Sequence, residues 1–280
     1  MRLRIIDAFT DRPFAGNPAG VVLFGDPANP SGFPRDDWMQ QVALEVNQAE
    51  TAFAHPLPPG GDADWALRWF TPATEVSMCG HATLATAHAL VSDGLADRPV
   101  RFRARCGVLT AAPHPDGTIT LDFPTAPLTP VTASEELVRA LGAEPLSVHD
   151  TGAEVGDLLV ALPDERTVRA LAPDLTALAR VSERGVIATA PAGAPDAGHD
   201  FVSRCFFPRV GIDEDPVTGS AHTALAPFWA ARLGRNALTG LQASARSGLV
   251  RAELRGPRTL LTGGAVTVFD GRLLAPPPTR

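Results

Sequence analysis

Three side chains in this sequence stand where their chemistry would be proton transfer. Glu50 enters an apolar segment, Ala49-Glu50-Thr51-Ala52-Phe53, as an isolated carboxylate. Most such residues are solvated or salt-bridged, but burial would raise the pKa toward the range useful for taking a proton from carbon. His81 follows Gly80 at the start of an Ala-rich stretch, where a helix dipole would favour the neutral imidazole. Asp215 precedes Pro216 in Asp213-Glu214-Asp215-Pro216 and has two readings. Acids at that point complement a helix dipole, an effect of about 0.3–1 kcal/mol each. Alternatively, Asp215 hydrogen-bonds an amine or hydroxyl of a ligand, or orients His81. The other histidines, His55, His88, His114, His149, His199 and His222, carry no motif and read as structural.

The elements that position these groups are repeated. Cys79-Gly80-His81-Ala82-Thr83 resembles Thr218-Gly219-Ser220-Ala221-His222, with Gly219 lying 139 residues after Gly80. Two further pairs fall in the same order: Arg68-Trp69-Phe70-Thr71-Pro72 with Arg204-Cys205-Phe206-Phe207-Pro208, and Ala104-Arg105-Cys106-Gly107 with Ala245-Arg246-Ser247-Gly248. Three pairs at nearly one offset read as two copies of one unit. Each Gly turn opens a helix whose free N–H groups and positive end suit an anion, and the expectation is that the two ends face one cleft holding a small carboxylate. For a single copy, simple helix capping would be the plainer explanation. By position, Arg184-Gly185-Val186-Ile187 takes the place of the Glu50 segment in the second copy. The apparatus is therefore asymmetric, with one carboxylate base between two similar lobes.

The 280 residues suit two domains of about 140 residues, each able to bury a core, and 45% are hydrophobic. Net charge is −7, without a basic run, which argues against nucleic acid or an acidic membrane surface as partner and for a small molecule. There is no lysine, which excludes a lysine Schiff base and a P-loop lysine on this chain. Cys79, Cys106 and Cys205 have neither metal-type spacing nor an even number for a disulfide framework. The chain enters Arg2-Leu3-Arg4-Ile5-Ile6 without a signal-peptide core and holds no long apolar run, so a cytoplasmic location without membrane contact is expected.

Along the chain, strands are expected over 2–9 and 20–24, a helix over 35–46, and strands at the Glu50 segment and over 65–71. Residues 100–123 read as a hairpin with Pro115-Asp116-Gly117 at its tip. Pro124 to Pro130 mark the boundary, giving an N-terminal lobe 1–126 and a C-terminal lobe 127–280. The second lobe then predicts a helix over 134–141, strands over 157–162, 185–190 and 201–207, a helix over 166–180, and a closing hairpin over 245–274. Few parallel βαβ signals occur, so the fold class is α+β, each half a mixed or antiparallel sheet curled around a central helix.

Taken together, Asp7-Ala8-Phe9-Thr10, Phe14-Ala15-Gly16-Asn17-Pro18, the Glu50 segment, Cys79-Gly80-His81-Ala82-Thr83 and Glu214-Asp215-Pro216-Val217-Thr218-Gly219-Ser220-Ala221 resemble the PhzF-like phenazine biosynthesis family, related to diaminopimelate epimerase and proline racemase. The resemblance implies a diaminopimelate-epimerase-like fold, no cofactor, no metal and a homodimer. It implies an acid/base role for Glu50, assistance by His81 and Asp215, and substrate binding by Asn17, Gly80, Gly219 and Ser220. In two-base relatives each Gly turn carries a Cys; here the pair is Cys79 and Thr218, possible auxiliaries of which the hydroxyl is far too weak a base for symmetric racemisation. The reading is an isomerase in which Glu50 moves a proton on a small unsaturated or amino/hydroxy carboxylate. The alternatives are a Cys/Thr-type amino-acid dehydratase or epimerase, and a non-catalytic metabolite- or protein-binding module.

Overall fold

A computed structural model describes residues 1–25 and 32–277, and the chain divides into two units, Met1–Asp122 joined by the segment from Thr262 onward, and Phe123–Leu261. In unit 1 the elements run β1 (Arg2–Ala8), β2 (Asn17–Leu23), α1 (Asp36–Val46), β3 (Glu50–Pro56), β4 (Trp65–Phe70), β5 (Glu75–Val76), α2 (Gly80–Ser92), β6 (Val100–Ala104), β7 (Gly107–Pro113) and β8 (Ile119–Pro124). Strand β1 is antiparallel to β2, β2 parallel to β3, β3 antiparallel to β4, β4 parallel to β6, and β6 antiparallel to β7. Val42, Ala43 and Met39 of α1 pack with Phe53, Phe70 and Val22 on this sheet. Their spacing is that of one helical face.

Unit 2 repeats the pattern with β9 (Thr129–Val131), α3 (Glu135–Leu141), β10 (Ser147–Asp150), β11 (Asp157–Ala161), α4 (Glu165–Ala170), α5 (Leu175–Leu178), β12 (Gly185–Pro191), β13 (Phe201–Phe207), β14 (Ile212–Asp215), α6 (Gly219–Leu233), β15 (Ala237–Gln242), β16 (Gly248–Arg255) and β17 (Arg258–Gly263). Its pairings alternate in the same order: β10 antiparallel to β11, β11 parallel to β12, β12 antiparallel to β13, β13 parallel to β15, β15 antiparallel to β16. Two units with one pairing order are the structural counterpart of the sequence repeat, and the mixed-sheet α+β expectation holds.

Each unit buries one helix almost completely. Nine residues of α2 and ten of α6 are buried, from His81 to Leu90 and from Gly219 to Ala230. Helices apolar on every side belong in a core. Their hydroxyls are satisfied inside the helix, as in Thr83 and Thr86, which donate to the carbonyls of Cys79 and Ala82 at 2.6 and 2.7 Å. Pro227 inside α6 has no N–H for the Thr223 carbonyl, and that oxygen accepts from the Ala126 N–H instead, at 3.2 Å.

Several expectations need correction. The single helix over 166–180 is two short ones, α4 and α5, because Pro173 interrupts the pattern and the Asp174 carboxylate caps a new start at the Ala177 N–H. The 100–123 hairpin is three strands: the Pro115-Asp116-Gly117 turn is present, but a second turn at Arg105-Cys106 precedes it. The lobe 127–280 is not continuous either. Beyond β17 the chain forms β18 (Ala265–Arg272), which pairs antiparallel with β1 and belongs to unit 1.

Candidate active site

Glu50 is the first residue of β3, fixed in parallel register with Ala19 of β2. The preceding turn is built to tight tolerance: Gly16 has a left-handed φ of 64°, and a Cβ there would overlap the Ala8 carbonyl oxygen. That turn delivers Asn17, fully buried, to the start of β2, and Asp7 braces it by accepting from the Phe14 N–H at 2.7 Å.

Gly80 and His81 are the first two residues of α2, with Cys79 as its extended N-cap. His81 Nε2 lies 3.3 Å from Glu50 Oε2, their side chains 7% and 13% exposed. Cys79 Sγ lies 3.5 Å from His81 Nδ1. Burial lowers the His81 pKa from 6.5 to about 3, so the ring is neutral. The direction is the one expected at a helix start, but desolvation is the cause rather than the helix dipole. The contact with Glu50 is thus a close approach of a neutral imidazole to a carboxylate rather than an ion pair. The ring lies between the two groups, Nε2 toward the carboxylate and Nδ1 nearer the thiol. The three groups also offer ligand atoms within 4.8 Å of one another.

In unit 2 the matching turn is held by an amide. Gln242 of β15 accepts from the Thr218 N–H at 2.8 Å and donates to the Asp215 carbonyl at 2.7 Å and to Thr218 Oγ1 at 3.1 Å. Thr218 Oγ1 in turn donates to the Asp215 carboxylate. The Thr218 hydroxyl is therefore a donor to a carboxylate, the opposite of a base. The acidic cluster divides its labour: Glu214 forms a two-point pair with Arg204 at 2.7 and 2.8 Å, while Asp215 is buried at the turn. Gly219 and Ser220 open α6. Beneath them, His222 Nδ1 lies 2.8 Å from the Thr218 carbonyl, and burial lowers its pKa to about 4. Cys205 is fully buried, which raises its thiol pKa far above the usual value and makes it inert.

The structure thus brings Glu50, Cys79, Gly80 and His81 together in unit 1, and Asp215, Thr218, Gly219 and Ser220 in unit 2. Sequence reasoning missed Gln242, Asp157 and the placement of Arg184. Arg184 Nη1 donates to Asp157 Oδ2 at 2.9 Å, and Nη2 to Ser220 Oγ at 3.2 Å. Only the oddness of Arg184-Gly185 at the Glu50-like position signalled it.

Duplicated sheet-and-helix units with these turns define a diaminopimelate-epimerase-like α+β protein. The family model described as phenazine biosynthesis-like protein (PhzC-PhzF) matches residues 6–271, and the chain belongs to that family. It is 43% identical over 274 residues to an uncharacterized isomerase of Halalkalibacterium halodurans, covering 96% of this chain and 97% of that one. It is 45% identical over 270 residues to an uncharacterized isomerase of Pseudomonas aeruginosa, covering 96% of each. The crystal structure of a PhzF family protein of Enterococcus faecalis matches with a TM-score of 0.86 at 36% identity, over 96% of this chain and 97% of that chain. Among the described residues, no helix is long and apolar enough to cross a membrane.

Proposed function

We propose that the protein is an isomerase that relocates one proton on a small unsaturated or amino/hydroxy carboxylate, with Glu50 as the proton carrier. The observation that carries this reading is the Glu50–His81 contact of 3.3 Å at the start of a buried helix. A neutral ring beside the carboxylate leaves it able to accept a proton from the substrate. Glu50 takes a proton from carbon, leaving the electron pair delocalised into the conjugated system. The resulting carboxylic acid returns that proton to another carbon on the same face, so charge and protons balance over the cycle. Backbone N–H groups at Gly80 and His81 favour an anionic oxygen of the substrate. Substrate contacts by Asn17, Gly219 and Ser220, and an assisting role for Asp215, belong to the same proposal.

A thiol-based dehydratase or epimerase is the second reading, favoured by one observation: Cys79 Sγ lies 3.5 Å from the His81 ring. Against it stands Thr218, a hydroxyl already donating to Asp215 and unable to act as the opposing base. Proton NMR in deuterated water tests the proposal, with a panel of small carboxylates that includes dihydrohydroxyanthranilate. The expected result is conversion of at least one member without racemisation of an amino acid. Exchange confined to the α-carbon of amino acids, on both faces, would favour the thiol reading.

A further inference from the structure

We infer that unit 2 carries a carboxylate-binding site in which Arg184 is the anion receptor and Ser220 the second contact. The duplication shows how it arises. In unit 1, β3 begins at Glu50, in parallel register with Ala19, and Glu50 reaches the second residue of α2. In unit 2, β12 begins at Gly185, in parallel register with Asp157, but Gly185 admits no side chain: a Cβ would overlap the Phe207 ring and the Phe206 carbonyl oxygen. The residue before it, Arg184, reaches the second residue of α6, Ser220, at 3.2 Å. Adjacent fold positions, the first residue of the strand in unit 1 and the residue before it in unit 2, therefore present a carboxylate and a cation.

The guanidinium is fixed in place with donors left over. Nη1 gives both of its hydrogens to protein, to Asp157 Oδ2 at 2.9 Å and the Val155 carbonyl at 3.1 Å. The guanidinium carbon stands 4.4 Å from the centre of the Phe207 ring, which sets the plane. Among the described residues, Nη2 makes one bond, to Ser220, and Nε makes none. The Nε and Nη2 hydrogens form the edge of a guanidinium that grips a carboxylate at two points. The side chain is 32% exposed, so a ligand can reach it. Its acidic neighbour only partly cancels the charge. Asp157 is buried, its Oδ1 has no partner among the described residues, and burial raises its pKa to about 7, so near neutrality much of it is uncharged. Ser220 Oγ, accepting from Arg184, keeps its own hydrogen for the anion.

Resting on the isomerase reading, the bound group is the substrate's carboxylate; the binding site itself stands without that reading. Anthranilate, a planar carboxylate, is the probe for calorimetric titration of the whole protein. Arg184→Lys keeps a charge beside Asp157 but loses the fork, and should weaken binding about 10-fold; Arg184→Gln should weaken it about 100-fold, with folding checked by circular dichroism. Because a variant can fail to fold, the Arg184 Nε–H resonance of the wild type is followed as well, and it should shift with the same saturation curve. A wild type that shows no saturable binding, an unmoved Arg184 resonance, or Arg184 variants that bind as tightly as wild type would each overturn the site. Arg184-dependent binding without turnover of any carboxylate leaves the site standing and counts against the isomerase reading. Turnover that depends on Glu50 while binding ignores Arg184 does the reverse.

Discussion

At the level of single residues, the site rests on neutral and charged forms being held where burial puts them. Asp157 shows the consequence most plainly. Its folded pKa of about 7 exceeds the ordinary 3.8, so the folded chain holds a proton that the unfolded chain releases. Its contribution to stability is therefore complete below about pH 4 and falls as pH rises toward 7. Asp157→Asn, neutral at every pH, should be more stable than wild type at pH 8 by up to about 2–4 kcal/mol and nearly equal to it at pH 4, as read from urea midpoints. A difference that does not grow with pH would mean that Arg184 keeps Asp157 charged. At Cys79 the expectation is milder. Cys79→Ser keeps a donor for His81, so the fold should persist and turnover fall less than about 10-fold, well short of the loss of an acid/base group.

Among the elements, the turn between β14 and α6 depends on Gln242, whose amide satisfies the Thr218 N–H and the Asp215 carbonyl together. Gln242→Leu keeps the volume and removes both partners in a fully buried place. The expected cost is about 2–5 kcal/mol, measured by thermal or urea unfolding, with ligand binding weakened as well. A variant as stable as wild type would show that water replaces the amide. This amide also marks the limit of reading the chain alone. Gly80, His81, Gly219 and Ser220 were legible because a Gly turn opening an Ala-rich helix is local, and because it occurs twice. Glu50 was legible as a lone carboxylate in an apolar run. Gln242 and Asp157 were not, since their partners lie 24 and 27 residues away and no local pattern announces such a pairing. Apolar periodicity runs on through Pro173, so the segment 166–180 reads as one helix where the chain forms two. The return of β18 to β1 is not legible locally, because a hairpin and a long-range strand pair share the same alternating pattern.

For the whole molecule, both central helices bury a histidine near their first turn, His81 and His222, and both rings are held neutral. The unfolded chain protonates them below the ordinary 6.5, whereas the folded chain resists until about 3 and 4. Their contribution to stability is therefore present above about pH 6.5 and is lost as pH falls, by about 2 kcal/mol for each ring at pH 5. Comparing wild type with His222→Gln between pH 7 and pH 5 should show a smaller loss in the variant, and equal losses would place His222 in water. The central claim concerns Glu50, and one comparison meets it directly. Wild type, Glu50→Gln and Cys79→Ser are assayed together for conversion of dihydrohydroxyanthranilate and the wider carboxylate panel in deuterated water, each variant first checked for wild-type folding. The account expects turnover in the wild type, a loss of about 10²-fold or more in Glu50→Gln, and a far smaller loss in Cys79→Ser. A folded Cys79→Ser as inactive as Glu50→Gln, or a Glu50→Gln that keeps more than about a tenth of the wild-type rate, would contradict it.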